Sequence, residues 1–139
     1  MNFSLDEARA IFARAPFIAD IGIEPLAVGE GRIESALTLA PRHYQHTGQV
    51  HAGVMVTLAD HSMGIAAQTL VDDEAMVITA ELSTRLLRAA RGERLVCEAR
   101  VIKRGRNISF TEADVWCEAG KERVHVLRAS ATMALTRRA

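Results

Sequence analysis

The sequence predicts an α+β fold, one long helix packed on six antiparallel strands. Three observations carry this. Residues 53–70 repeat apolar side chains at helical spacing for about five turns. The other long apolar segments mostly alternate with period two. The links between the later strands are short and rich in glycine and charge, as in "KRGRN" and "EAGKE".

The elements follow in order. Ser4-Leu5-Asp6-Glu7 is a capping box, and Leu5, Ala8, Ile11, Phe12 and Ala15 continue at helical spacing until Pro16 stops a short N-terminal helix. From Ile21 to Leu39 the period becomes two. Pro25 marks an edge or a bulge there, "VGEGR" is a turn, and Ile33, Ser35, Leu37 and Leu39 share one face. After the helix and "LVDDEA", Leu82, Thr84 and Leu86 alternate, then Leu95, Cys97, Ala99 and Val101. The next strand starts on Ile108 and Phe110 but continues on Ala113, Val115 and Cys117, so a β-bulge is predicted at Thr111-Glu112. A second slip, at Val126-Leu127, hands the core face to Ala129, Ala131, Met133 and Leu135. "AARGE", "KRGRN" and "EAGKE" read as antiparallel hairpin connections.

Composition narrows the function classes. The chain of 139 residues fits a single domain, 1–139, with 17 basic and 17 acidic residues and hence no global pull toward nucleic acid or an anionic membrane. Cys97 and Cys117 match no metal-ligand spacing and are expected as thiols, although the sequence leaves a disulfide open. The first residues hold no apolar signal core, and no run of about 18 apolar residues predicts a membrane span, so a cytoplasmic protein is expected.

The central helix carries the functional signal. At 100° per residue, Gly53, Thr57, Asp60, His61, Gly64 and Gln68 fall in one stripe roughly 100° wide, while apolar residues cover nearly all the rest. A solvated face carries Lys, Glu or Arg, and this stripe has none. It suits a crevice against another protein surface. Gly48, Ala52 and Gly53 crowd the helix entry, where free N–H groups favour an anion or a developing oxyanion. Asp60 lies on the same face, seven residues beyond Gly53 and roughly 10 Å along the axis. An oxyanion hole and a carboxylate are the parts of an acyl-transfer site. One helix cannot bring its own Asp60 to its own N-terminus, whereas two antiparallel copies can, so a dimer with two shared sites is expected.

Other conspicuous residues have plainer readings. His43, His46, His51 and His61 lack a convincing carboxylate or cysteine partner set, so no metal is expected. His61 reads as an interface or hydrogen-bonding residue rather than a second catalyst, and Trp116 as sheet packing.

"VHAGVMVTLAD", "VITAEL" and "KRGR", with an Asp nine residues after His51, make nearly the whole chain resemble the hotdog fold, and within it the phenylacetate-pathway type of acyl-CoA thioesterase. The resemblance implies that Asp60 activates water or attacks the thioester carbon. It implies that the backbone N–H of Ala52, with Gly53 beside it, holds the thioester oxygen; alanine here replaces the usual glycine. His51 then shapes the turn, Thr79 holds water near Asp60, and Gln45 stands where relatives place an asparagine touching the thioester. Lys103, Arg104 and Arg106 around Gly105, and Arg88 and Arg91 at another turn, would meet the phosphates of coenzyme A, although each also reads as a solvated turn residue. No cofactor is implied. The partner is an acyl-CoA substrate, the minimal unit a homodimer, and the expected assembly a homotetramer.

Two alternatives stay open. A hydratase or dehydratase of acyl thioesters would need His and Asp or Glu pairs at a spacing not found here. A non-catalytic acyl-CoA binding module would usually carry an effector domain, for which 139 residues leave no room.

Overall fold

Ser4 Oγ accepts the Glu7 N–H at 3.1 Å and starts α1 (Leu5–Arg14); this half of the predicted capping box forms, while the return bond from the Ser4 N–H to the Glu7 carboxylate is absent among the described residues. The structure, a computed structural model, describes residues 3–137. Pro16 does more than stop α1. It occupies the first turn of a second helix, α2 (Pro16–Ile21), where its missing N–H costs nothing. Gly22, at φ +97°, ends that helix with its N–H on Ile18 O. Ile21 is therefore helical, and the first strand begins two residues later than period two suggested.

The strands are β1 (Ile23–Gly29), β2 (Arg32–Thr38), β3 (Ala75–Leu86), β4 (Arg94–Arg104), β5 (Ile108–Ala119) and β6 (Glu122–Arg137). They form one antiparallel sheet in the order β1-β2-β4-β5-β6-β3. β1 is an edge strand and shifts register between Pro25 and Ala27, so Pro25 marks both an edge and a bulge. The helix α3 (Ala52–Gln68) packs against β2, β3, β4, β5 and β6. Its buried residues, including Met55, Leu58, Met63, Ile65 and Ala66, join Leu37, Leu95, Val115, Leu127 and Met133 in the core. No helix among the described residues is long and apolar enough to cross a membrane.

Three strand expectations meet different outcomes. The slip at Val126-Leu127 is real: Val115 pairs with Leu127 and Trp116 with His125, leaving Val126 as the extra residue. The bulge at Thr111-Glu112 is absent, because β5 keeps one phase. Ser109, Thr111, Ala113, Val115 and Cys117 all face inward, while Ile108 and Phe110 face out. Thr111 can be buried because its hydroxyl donates to Ala131 O at 3.1 Å. The extra residue lies opposite, at Ile102 of β4. "AARGE" is not a hairpin, since β3 pairs only with β6 and the chain must cross the sheet to reach β4. The crossover is held by Val50 N–H to Ala90 O and Leu39 N–H to Glu93 O. Cys97 and Cys117 are buried free thiols.

Candidate active site

The α3 entry is built by the loop before it. Gln45 N–H donates to Gln49 O at 2.8 Å, and Gly48 N–H to Gln45 O at 3.0 Å. Gly48 sits at φ +84°, which a side chain rarely tolerates. His51 stays extended, at φ −61° and ψ 133°, and its Nδ1 accepts the Gly53 N–H at 2.9 Å. His51 is thus the N-cap of α3, an imidazole doing what a serine or aspartate does elsewhere. A Cβ on Gly53 would come within 3.0 Å of that nitrogen, which explains the glycine.

The cap leaves one donor over. Gly53 N–H goes to His51 Nδ1 and Val54 N–H to His51 O, while Ala52 N–H has no partner among the described residues. Ala52, not Gly53, carries the available donor. Gln45 lies in the same loop, at this end of the helix.

Two turns on, α3 presents Asp60 toward β3. Thr79 Oγ1 donates to Asp60 Oδ1 at 2.7 Å, and its other contact is Met133 Sδ at 3.5 Å. β3 reaches Asp60 because its inner face, Val77 and Thr79, lies beside the helix before the register shifts between Thr79 and Glu81. Asp60 and Thr79 open onto a cleft of about 700 Å³, lined also by Gly64, Ile65 and Gln68 of α3, by Met76 and Val77, and by Ile11 and Arg14 of α1. That volume suits a small-molecule site. The sequence pattern did not mark Ile11 or Arg14 for this site; Ile11 stood out only as one of the apolar positions of α1.

Of the two roles expected of His61, interface or hydrogen bonding, the second is not met at Nε2. Its Nε2 is buried without a partner among the described residues, and the ring meets Phe12 edge-on with centroids 4.4 Å apart. Burial pushes its pKa down to about 4, against the opposing pull of Asp60, so it is neutral at physiological pH.

Ala52 and Asp60 are eight residues apart on one rod, roughly 12 Å along its axis. The cations are separated too. Arg88, which donates to His125 O at 3.3 Å, and Arg91, beside Gly48, stand near the α3 entry. Lys103 and Arg104 end β4 and Gly105 and Arg106 lead the turn into β5, and Arg104 to Arg106 line a second cleft of about 620 Å³ with Asp72 and Arg137. A Cβ on Gly105 would lie 2.5 Å from Ile108 O, so the turn requires glycine. Since β4 spans the sheet between these groups, they lie roughly 30 Å apart in one chain. Among the described residues, no group of His, Cys, Asp and Glu could hold a metal ion.

One long helix wrapped by a six-stranded antiparallel sheet agrees with what known proteins show. The profile of the Thioesterase superfamily matches residues 47–124, spanning the entry loop, α3 and the strands through the start of β6. The chain belongs to the thioesterase superfamily. A Haemophilus influenzae protein named as an esterase is 30% identical over 120 residues, 86% of each chain. A 1,4-dihydroxy-2-naphthoyl-CoA hydrolase of Listeria monocytogenes is 27% identical over 101 residues, 73% of this chain and 82% of that one. Among solved structures, a thioesterase family protein of Silicibacter pomeroyi superposes with a TM-score of 0.91 at 30% identity, covering 94% of this chain and 96% of that one. A phenylacetic acid degradation-related protein of Ralstonia eutropha gives 0.77 at 25% identity, covering 86% and 89%. The fold is the hotdog fold, of the phenylacetate-type branch, and the enzyme is a thioester hydrolase.

Proposed function

We propose that this thioesterase hydrolyses an acyl-CoA to the free acid and CoA at two sites, each shared between two copies of the chain. The observation that carries the reading is the split within one helix. The free Ala52 N–H and the Thr79-held Asp60 are both present, yet too far apart to act on one carbonyl. An antiparallel second copy supplies each half with its complement. β3 supports such pairing, being an edge strand exposed along most of its length. The same operation would bring one chain's Arg88–Arg91 end toward the other's Lys103–Arg106 turn, giving each site both cationic groups for the CoA phosphates. A homotetramer of two such dimers is the proposed full assembly, and the cell interior its location.

In the proposed reaction the Thr79 hydroxyl occupies Asp60 Oδ1, leaving Oδ2 to take a proton from water. The water attacks the thioester carbon, and the carbonyl oxygen becomes an oxyanion on the Ala52 N–H of the facing chain. The tetrahedral species collapses by breaking the C–S bond, and the departing thiolate takes the proton from Asp60 Oδ2, which restores the carboxylate. Gln45, in the Ala52 loop, is proposed to orient the thioester, with His51 acting only through the helix cap.

Thiol release measured across short, long and aromatic acyl-CoAs tests the reading. Wild type should turn over at least one class and Asp60→Asn none at a comparable rate. An Asp60→Asn protein with near wild-type kcat would refute it.

A further inference from the structure

Most glycines of this chain have a local reason to be glycine. Gly22, Gly31, Gly48 and Gly120 have positive φ, Gly92 and Gly105 would drive a Cβ into backbone carbonyls, and Gly53 abuts its own cap. Gly64 has none of these reasons. It lies inside α3, where glycine is less favourable than alanine, and an added Cβ would meet nothing within 4 Å. The space over it is part of the Asp60 cleft.

The cleft also has a direction. From Asp60 it includes His61, Gly64, Ile65 and Gln68, but not Thr57 or Gly53, so it runs toward the C-terminal end of α3. Gly64 is the first residue met on that path along the helix face, one turn or roughly 6 Å beyond the carboxylate. A thioester carbon held at Asp60 must send one substituent along the cleft. The helix entry, with its oxyanion donor, comes from the opposite direction in a shared site. Ile11, Ile65, Met76 and Val77 give the path an apolar wall for a carbon chain or ring, beside the polar Arg14, Gln68 and Asp73.

We propose that Gly64 sets the size of acyl group the enzyme accepts, by leaving open the space into which the acyl chain passes from Asp60. The proposal rests on the acyl-CoA reading above. The facing wall belongs to α1 of the same chain, so the N-terminal helix shares in this selection.

The test is kcat/KM for a series from acetyl-CoA through hexanoyl-CoA to phenylacetyl-CoA, with wild type, Gly64→Ala and Gly64→Val. Gly64→Ala should lose about 10-fold or more on the bulkiest substrate that wild type hydrolyses and less than about 2-fold on the smallest. Gly64→Val should widen that gap. The alanine variant should also keep the wild-type dimer mass and melt about 2 °C or more higher, as a helix relieved of glycine does. An equal loss across the series, no loss at all, or a dissociated dimer overturns the proposal; the last would show that the space serves a partner helix. Asp60→Asn in the same assay keeps the two ideas apart. If it is dead while the Gly64 variants match wild type, only the size gate fails. If wild type releases no thiol, or Asp60→Asn matches it, the parent reading fails.

Discussion

The chain sets an aspartate beside a histidine in two places, and the two could hardly be treated more differently. On the outer face of the sheet, Asp114 of β5 is 6% exposed and engaged on both oxygens. Its Oδ1 accepts from His125 Nε2 at 2.9 Å and Arg128 Nη1 at 3.0 Å, and its Oδ2 from Arg100 Nη2 at 3.2 Å. Glu112 shares both arginines, and Trp116 stacks on His125 beneath the Arg123 guanidinium. Under α3, by contrast, Asp60 accepts a single side-chain bond among the described residues, from the Thr79 hydroxyl, and none from its neighbour His61. A carboxylate that already accepts from three charged or aromatic-ring donors is committed to holding the sheet together. One held by a single short bond is oriented and keeps an oxygen open to a water, which is what proton abstraction needs.

Substitutions can break this contrast. The largest effect should come from Asp60→Asn, which is expected to lower kcat about 10³-fold while the urea midpoint stays near wild type. Asp114→Ala should do the reverse. It removes the acceptor shared by His125 and two arginines, and because those arginines are partly solvated and keep Glu112 the cost is about 2 kcal/mol of unfolding free energy, with thiol release within about 3-fold of wild type. A large activity loss in Asp114→Ala with unchanged stability would dissolve the distinction.

The histidines sharpen it further. The folded-state pKa of His61 lies near 4, below the 6.5 of an unfolded chain. Between those values the unfolded state binds a proton that the folded state refuses. Stability from this group is therefore full above about pH 6.5 and is lost as pH falls toward 4. Urea melts at pH 7 and pH 5 should show wild type losing about 2 kcal/mol more than His61→Leu, which has no such proton to bind. The smallest effect is expected from Thr79→Val, which deletes the donor that orients Asp60 and should cost about 10-fold in kcat with little change in KM. Thr79→Ser should restore most of it.

How much of this was legible in the residues depends on where the determining contact lies. The polar stripe of α3 was visible because a helix displays its neighbours at fixed spacing, so Asp60 and Gly64 could be placed on one face from the sequence. Ala52 was marked by its position at a glycine-lined helix start, but only the structure shows His51 taking the Gly53 N–H and leaving Ala52 over. The Asp114 cluster draws Arg100, Asp114, His125 and Arg128 from three strands, and register decides that meeting, not spacing. Ile108 and Phe110 misled because apolar residues were taken to point inward, whereas here Ser109 and Thr111 do. Pro16 shows the same limit, since a proline that ends one helix can equally begin the next. "AARGE" has a hairpin's length, and only the strand order reveals a crossover.

The central claim is that Asp60 of one chain works with the Ala52 N–H of another, and subunit mixing tests it most directly. Ala52→Pro removes just that N–H. Proline is tolerated at the first helical position, and His51 already has the extended backbone that a following proline demands. Asp60→Asn removes the base. Each variant alone should be nearly inactive. Unfolded together in equal amounts and refolded, half the dimers should be mixed, each with one intact site, restoring about a quarter of wild-type thiol release. Recovery at that level is the predicted result. A mixture that forms heterodimers, as shown by mass, yet stays as inactive as its parents would place both groups in one chain's site and contradict the account.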